Sequence, residues 1–248
     1  MVSALVAVVL AAGKGTRMGS DLPKVLHTLH GEPLVVHPIR AARAAGADRV
    51  VVIVGHGATQ VQAALGSGDP SLRYALQSEQ RGTGHAVLCA LPAIAEHEGD
   101  VLILSGDVPR LRAATLRRLA GACHESPGGL AFASFMPVDP TGYGRVMRDG
   151  QGRVLAIVEE RDASPEQRRI AECNAGVYCA SAELLRRELP RLGSSNAQGE
   201  IYITDLVAVA AGQGVTALSV PADEVAGVNT REQLAALAAL PISSSVGE

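Results

Sequence analysis

The stretch LVAVVLAAGKGTRM, residues 5–18, decides the fold. Its first six residues, Leu5–Leu10, are all apolar, which is typical of a strand buried on both faces of a parallel sheet. A glycine-rich turn carrying Lys14 and Arg17 follows directly. Glycines let backbone N–H groups turn toward an anion, and open α/β sheets bind their ligands at the carboxyl ends of strands. The stretch therefore predicts an α/β fold with an anion site after its first strand.

The turn matches neither of the two common phosphate-binding motifs. A P-loop requires GxxxxGK[ST], and neither Gly13 nor Gly15 has a Gly-Lys pair five residues later. The dinucleotide fingerprint requires GxGxxG, and Met18 stands where the third glycine would be. Cations still gather near this strand end, and Pro23 is expected to hold Lys24 in a fixed, extended approach to it. A surface turn with solvated basic residues is the alternative interpretation of the loop alone.

Apolar runs alternate with helical patterns over the first half of the chain. Strands are predicted at residues 49–54 and 101–104, and helices near residues 34–45, 58–65 and 84–94. This alternation predicts right-handed crossovers and a doubly wound sheet, because a parallel strand pair needs a helix to return the chain.

The pattern changes after residue 128. Closely spaced strands separated by turn residues are predicted at residues 130–136, 144–148, 153–159 and 175–179, which favours a mixed or antiparallel addition to the parallel core. Helices follow at residues 182–189 and 203–211, and the capping-box pattern at residues 230–233 opens a last helix to about Leu240, ended by Pro241. We expect one domain over residues 1–240, built on a Rossmann-like, doubly wound mixed sheet, and a tail over residues 241–248.

Composition excludes several classes of function. The formal net charge of the 248 residues is −3 and only 2% are aromatic, which argues against nucleic-acid binding through a basic patch or stacked bases. No apolar run approaches the length of a bilayer span, so we expect a cytoplasmic protein without a membrane partner. Four cysteines without a CxxC pair are typical of small buried hydrophobes in a reducing compartment.

Two motifs bear polar groups at the ends of strands. In QSEQRGTGHAV, residues 77–87, the glycines and Thr83 at a helix start offer N–H groups and a hydroxyl, and Gln77 suits the edge of a pyrimidine. In SGDVP, residues 105–109, Asp107 ends an apolar strand, where a carboxylate suits Mg²⁺. Taken alone, both motifs are equally typical of helix caps. The remaining candidates, DPTGYGRV, IVEERDAS, NAQGEIYITDL and GVN, are by themselves turns, solvated charges and a helix start.

Together these motifs carry a resemblance to a known family. LAAGKGTRM followed by LPKVL resembles the signature loop of the sugar-nucleotide pyrophosphorylases, in particular the uridylyltransferase domains of bacterial N-acetylglucosamine-1-phosphate uridylyltransferases. The other motifs follow in the family's order, from about residue 5 to residue 240. The resemblance implies a Mg²⁺-dependent nucleotidyltransferase that makes UDP-N-acetylglucosamine and pyrophosphate from UTP and N-acetylglucosamine 1-phosphate.

The resemblance also implies a role for each site residue. Arg17 and Lys24 would be the catalytic cations on the phosphates, and Asp107 and Asn229 would ligate Mg²⁺. The nucleotide would be bound by Leu10, Ala11, Ala12, Gly13, Lys24, Gln77, Gly82 and Thr83. The sugar phosphate would be bound by Gly144, Glu159, Asn174, Tyr202, Thr204 and Asn229. Ser105 departs from the tyrosine that is frequent in the family two residues before the aspartate.

Two alternatives stay open at this stage. One is a nucleotidyltransferase of the same fold for another sugar phosphate or nucleotide, and the other is a non-catalytic domain that binds sugar nucleotides. Many family members continue into a β-helix of hexapeptide repeats that carries an acetyltransferase and a trimer interface. The present sequence has no hexapeptide period, so we expect a monomer or a weak homo-oligomer.

Overall fold

A computed structural model describes residues 4–66 and 68–240. The strands are β1 Leu5–Leu10, β2 Thr28–Leu29, β3 Glu32–Pro33, β4 Ala47–Val54, β5 Leu72–Leu76, β6 Asp100–Ser105, β7 Leu130–Phe135, β8 Arg145–Arg148, β9 Val154–Val158, β10 Cys173–Ser181 and β11 Thr216–Ser219. The α-helices are α1 Val36–Ala44, α2 Ala58–Leu65, α3 Thr83–Ala90, α4 Ala113–Glu125, α5 Pro165–Arg168, α6 Ala182–Glu188, α7 Asp205–Ala211 and α8 Arg231–Ala238.

Within the described residues, nine strands form one mixed sheet. Its main path runs in the order β11-β7-β10-β6-β1-β4-β5. Strand β1 lies between β4 and β6 and pairs in parallel with both, while β5 continues the parallel half beyond β4. Strand β10 is antiparallel to both β6 and β7 and also contacts the β8–β9 hairpin. The predicted doubly wound mixed sheet is therefore confirmed.

Helices cover both faces of the sheet because the central strands are apolar on both sides. On one face, Val9 of β1 and Val52 of β4 pack in a core cluster that includes residues of α1 and α4. On the other face, Val8 and Ile53 pack in a cluster that includes residues of α3, α6 and α7. A third, smaller cluster contains Met18, Leu29, Leu34, Val228 and Leu237, and it attaches α8 to the chain that follows β1.

Most sequence-based predictions of elements agree with the structure. The bounds of β1 and α2 are those predicted, and α8 begins with the predicted capping box, in which Thr230 and Gln233 bond each other's backbone N–H. Helix α4 and the edge strand β11 were not predicted. The expectations for Pro241 and the tail over residues 241–248 lie outside the described residues, so the predicted domain limits stay a prediction.

Two smaller expectations are tested directly. Lys24 does not approach in an extended conformation, because it begins a 3-10 turn, Lys24–Leu26, directly after Pro23. All four cysteines are free thiols, three of them buried and Cys89 partly exposed. None of the helices in the described part of the chain combines the length and apolar character that a membrane crossing requires.

Candidate active site

The candidate site lies where the carboxyl ends of β1 and β6 meet. The two strands pair in parallel with Leu10 beside Ser105, so the chain leaves both strands at the same edge of the sheet. Gly106 then donates its N–H to the Leu10 carbonyl at 2.9 Å. A Cβ on Gly106 would stand 2.8 Å from that carbonyl oxygen, so only glycine lets the two exits approach so closely. The close approach places Asp107 beside the loop that follows β1.

Four charged or polar side chains converge at this edge. The Lys24 ammonium contacts a carboxylate oxygen of Asp107 and donates to Oδ1 of Asn229 at 3.0 Å. The Arg17 guanidinium donates to the same Asn229 oxygen at 2.9 Å. The Lys24 and Asp107 side chains are only 17% and 16% exposed, so this contact is screened less than a surface ion pair. The catalytic and metal-binding residues implied by the sequence resemblance thus lie in one cluster.

The loop after β1 is shaped by glycine and by one buried side chain. Gly15 has a left-handed backbone with φ of 61°, and the 3-10 turn Thr16–Met18 follows it. Met18 is 1% exposed and packs in the third core cluster, so it anchors the turn from which Arg17 projects. The residue that breaks the dinucleotide fingerprint therefore has a structural role of its own.

A cavity of about 300 Å³ opens on one side of the cluster. Every residue that the resemblance assigned to the nucleotide lines it: Leu10, Ala11, Ala12, Gly13, Lys24, Gln77, Gly82 and Thr83. Asp107 and Ser105 line it as well. Gln80 donates to the Ala12 carbonyl at 2.8 Å and Gln77 donates to the Gly82 carbonyl at 3.0 Å, so the glutamines hold the two glycine-rich loops in place.

The start of α3 is hydrogen-bonded to the segment at residues 201–203. Gly82 has a φ of +102°, and a Cβ there would stand 2.5 Å from the Ile201 carbonyl oxygen. Gly84 donates to that same carbonyl at 2.8 Å, and the Thr83 hydroxyl accepts the Ile203 N–H at 3.1 Å. The segment that carries Tyr202 and Thr204 is thereby fixed against this first cavity.

A second cavity of about 530 Å³ lies beside Arg17. It is lined by Thr16, Arg17, Gly142, Glu159, Glu160, Arg161, Gln198 and Tyr202. Burial raises the pKa of Glu159, whose carboxylate accepts a hydrogen bond from Thr204 at 3.0 Å. Burial also raises the pKa of Tyr202 to about 12. The Tyr202 hydroxyl is buried and has no hydrogen-bond partner among the described residues.

Gly144 and Asn174, which the resemblance assigned to the sugar, do not line this cavity. A Cβ on Gly144 would stand 2.8 Å from a methyl group of Ile157, so the glycine leaves room for the Ile157 side chain, while the Glu159 carboxylate would lie at an ordinary contact distance of 3.5 Å. Asn174 is 9% exposed, donates to the Tyr178 hydroxyl at 2.6 Å and accepts the Gly176 N–H at 3.1 Å. The polar atoms of Asn174 are thus already engaged within the protein.

The donor chemistry of the cluster fits Mg²⁺. A carboxylate oxygen of Asp107 and the amide oxygen of Asn229 are hard ligands, and both contact the same Lys24 nitrogen. Within the described residues, no group of three or more His, Cys, Asp or Glu side chains is placed to hold a metal ion. The protein would therefore supply few ligands here, as is usual for Mg²⁺ that is bound together with phosphates and water.

Some residues of the site were not singled out from the sequence. Glu200 lines the first cavity and Gln198 the second, although both lie within the motif NAQGEIYITDL. Glu160 lines the second cavity next to Glu159 and pairs with the buried Arg145 at 2.7 Å. A charged residue within a strand-like pattern was the available signal for Arg145, since a charge in an apolar strand needs a partner.

Cations and a carboxylate gathered at the strand ends of an α/β sheet are typical of proteins that bind the phosphate groups of nucleotides. Residues 7–192 match the family of MobA-like NTP transferase domains, and the chain belongs to that family. The predicted nucleotidyltransferase class is thereby confirmed. The match ends before Tyr202, Thr204 and Asn229, so the last part of the site lies outside the family's common domain.

The chain is similar to several proteins named bifunctional protein GlmU. It is 52% identical over 233 residues to that of Trichlorobacter lovleyi, covering 92% of this chain and 50% of the relative. It is 50% identical over 234 residues to that of Anaeromyxobacter dehalogenans, covering 93% of this chain and 48% of the relative. The protein of Chromohalobacter salexigens is 51% identical over 233 residues, with coverages of 93% and 50%. The chain thus spans about half the length of these relatives, and the resemblance seen in the sequence is confirmed.

Proposed function

We propose that this chain transfers the uridylyl group of UTP to N-acetylglucosamine 1-phosphate and releases pyrophosphate. The observation that carries the proposal is the cluster of Arg17, Lys24, Asp107 and Asn229 between two cavities. One cavity adjoins the glycine-rich loops and the other adjoins Glu159 and Tyr202. A phosphoryl group that sat at the cluster would be in reach of molecules bound on either side.

The chemistry requires charge neutralisation more than proton transfer. The attacking atom is an oxygen of the sugar phosphate, which is already ionised near neutral pH, so no general base is needed. The obstacle is the repulsion between two anions that must align for in-line attack at the α-phosphorus. Arg17 and Lys24 stabilise the charge that grows on the departing pyrophosphate, because fixed cations in a partly dry site act strongly. Asp107 and Asn229 would hold Mg²⁺, which would supply further neutralisation of the phosphate charge when bound.

The nucleotide cavity supports uracil recognition. Gln77 is 4% exposed, and its amide nitrogen contacts both the Gly82 carbonyl at 3.0 Å and Nδ1 of His85 at 3.1 Å, so its orientation is fixed. The amide oxygen that remains can accept a hydrogen bond from the N–H of a pyrimidine. Ala11, Ala12 and Gly13 leave room for the base and ribose, Leu10 offers an apolar contact, and Thr83 lies at the helix end of the cavity.

The second cavity supports recognition of an amido sugar. Glu159 accepts hydrogen bonds from the hydroxyl groups of the sugar ring. The Tyr202 hydroxyl has no hydrogen-bond partner among the described residues and can therefore bond the sugar. Thr204 and Asn174 act through their neighbours, since Thr204 orients Glu159 and Asn174 is bonded to Tyr178. Gly144 acts indirectly as well, since its missing side chain leaves room for Ile157 beside Glu159.

A pyrophosphate-release assay tests the proposal. With UTP and Mg²⁺, N-acetylglucosamine 1-phosphate should be a better substrate than glucose 1-phosphate. Asp107→Ala and Lys24→Ala should each lower turnover by about two orders of magnitude or more, the usual effect of removing a preorganised charge partner. Arg117→Ala is the control, because Arg117 is an exposed arginine of α4 whose guanidinium donates to the Ala44 carbonyl, away from the cluster.

Two results would contradict the proposal. A preference for glucose 1-phosphate would favour a nucleotidyltransferase of the same fold for another sugar. Binding of UDP-N-acetylglucosamine without turnover would favour a non-catalytic domain. The cytoplasmic location and the monomeric or weakly oligomeric state expected from the sequence are part of the proposal, and gel filtration of the purified chain tests the latter.

A further inference from the structure

We propose that Glu224 and Arg231 are positioning residues that set the geometry of the candidate metal site without touching substrate or metal. Both belong to residues 221–238, here called the C-terminal strap, which carries Asn229 across the front of the site. The inference rests on the proposed function, because it assigns Asn229 to the metal. It goes further by assigning roles to two charged residues that the reaction itself does not use.

The first anchor is a buried carboxylate. Glu224 is 1% exposed, and its Oε1 accepts the backbone N–H of Arg112 at 3.0 Å. Arg112 is the residue before α4, so the carboxylate lies at the N-terminus of a 13-residue helix. A negative charge there is stabilised by the helix dipole and by an N–H that has no partner within the helix. Glu224 thereby holds the strap to the segment that leads from Asp107 into α4.

The second anchor is an exposed arginine. The Arg231 guanidinium donates to the Met18 carbonyl at 2.9 Å and to the Gly19 carbonyl at 3.0 Å. These carbonyls end the 3-10 turn from which Arg17 projects. Arg231, at the start of α8, thus holds the strap to the loop that carries the catalytic cation Arg17.

Asn229 lies between the two anchors. The Val228 N–H donates to the Asp107 carbonyl at 2.9 Å, and the Asn229 N–H donates to Oε1 of Gln233 at 2.7 Å. The strap therefore contacts the backbone of one proposed metal ligand immediately before presenting the other. A shift at either anchor would change the separation of the Asp107 and Asn229 oxygens, and metal affinity depends on that separation.

Packing holds part of the strap, because Val225 lies in the core cluster that includes α1 and α4, and Val228 and Leu237 lie in the third cluster. The two anchors act in addition to this packing. Hydrogen bonds from a charged group to backbone are stronger than neutral ones, so the two anchors would supply much of the strap's local order. Removing a contact that holds a metal ligand in position commonly lowers metal affinity by about 10- to 100-fold.

The experiment compares Arg231→Ala and Arg231→Lys with the wild-type chain. We measure hydrogen exchange of the peptide over residues 226–230 by mass spectrometry, and separately the Mg²⁺ concentration that gives half-maximal turnover. Arg231→Ala should speed exchange of this peptide and raise the half-saturating Mg²⁺ concentration by about tenfold. Arg231→Lys, which keeps one donor, should lie between the two. Arg117→Ala is the control and should match the wild type in both measurements.

Glu224 provides the second test. Glu224→Gln keeps an acceptor for the Arg112 N–H but removes the negative charge, so it should lie between the wild type and Glu224→Ala, whereas Glu224→Ala should behave like Arg231→Ala. If Glu224→Ala fails to fold, the two Arg231 variants and Glu224→Gln still decide the question. Unchanged exchange in Arg231→Ala would overturn the coupling, and faster exchange with an unchanged Mg²⁺ requirement would overturn the positioning role. If the wild-type chain shows no turnover, the proposed function fails, and the exchange rates alone then decide whether the strap is anchored as described.

Discussion

Replacing Lys24 by methionine should separate metal binding from turnover. In the structure, the Lys24 ammonium contacts the Asp107 carboxylate and donates to Asn229, the two proposed ligands of Mg²⁺. A divalent ion that used these oxygens would have to compete with the ammonium. Lys24→Met removes the competitor and keeps most of the side-chain volume. We therefore expect the variant to bind a divalent ion more tightly than the wild type while it loses catalysis.

The size of the effect follows from the contact that is lost. A hydrogen bond to a charged group contributes about 1.5–3 kcal/mol. Because the two side chains are 17% and 16% exposed, water screens the pair in part, and the lower end of that range applies. The lower figure corresponds to about tenfold tighter binding of Mn²⁺ in the absence of nucleotide. Turnover should fall by about 100-fold or more, because a preorganised cation is missing when charge develops on the phosphates.

Titration with Mn²⁺ followed by electron paramagnetic resonance measures the affinity without any substrate. Lys14→Met is the matched control, because Lys14 is an exposed cation of the same loop and its substitution removes the same charge. The gain in affinity should appear in Lys24→Met alone and should vanish when Asp107→Asn is added. Mn²⁺ binding that is unchanged or weaker in Lys24→Met would refute the competition between the ammonium and the metal.

Three further predictions concern stability and geometry. Burial raises the pKa of Glu159 in the folded protein. The free energy of unfolding therefore falls as the pH rises above the ordinary pKa of a glutamate, because the unfolded chain ionises more easily. Glu159→Gln should therefore raise the free energy of unfolding at pH 7 but not near pH 3, and urea denaturation with an equal gain at both pH values would contradict this. Gly106→Ala should lower turnover by about 100-fold by displacing Asp107, whereas Gly121→Ala, with open space around its Cβ, should stabilise α4 by about 0.5–1 kcal/mol in thermal denaturation. Arg145→Met should cost about 3 kcal/mol, because Arg145 is 2% exposed and pairs with Glu160. Urea denaturation should show that Arg145→Met/Glu160→Leu recovers part of this loss, since the Tyr143 and Arg168 carbonyls that Arg145 also bonds stay without their donor; no recovery at all would contradict a contribution from the Arg145–Glu160 pair.

The central elements could be predicted because their sequence signals are local. Strand β1 is an unbroken apolar run ended by glycine, and both features are visible within a few residues. Helix α8 was found from its capping box, since Thr230 and Gln233 satisfy each other's backbone groups within one turn. Such signals need no knowledge of distant residues.

The missed helix α4 shows the opposite case. Leu116, Leu119 and Cys123 have helical spacing, but no side chain near the start of the helix bonds its first N–H groups. That function is performed by Glu224, which lies 112 residues later in the sequence and reaches the Arg112 N–H. A start signal supplied by tertiary structure cannot be read locally. Among the described residues, the edge strand β11 pairs with β7 alone. Because it is half-exposed, its sequence also lacks the continuous apolar run of a buried strand.

The sequence motifs pointed to most residues that line the first cavity, because parallel strands end at one edge of the sheet. The motifs did not predict how the residues of the candidate site contact one another. The bond from Arg17 to Asn229 joins residues 212 positions apart, and no spacing rule predicts it. The engagement of Asn174 by Tyr178 was equally invisible, since it depends on an irregular register between β10 and β7.

The two cavities draw on different stretches of the chain. Apart from Glu200, the lining of the first cavity comes from residues 10–107, and apart from Thr16 and Arg17 the lining of the second comes from residues 142–202. Under the proposed function, substitutions that alter the acceptor sugar could therefore accumulate in one stretch without disturbing the donor nucleotide in the other. This separation would let descendants of one ancestral gene diversify their products while they inherit the same activated donor.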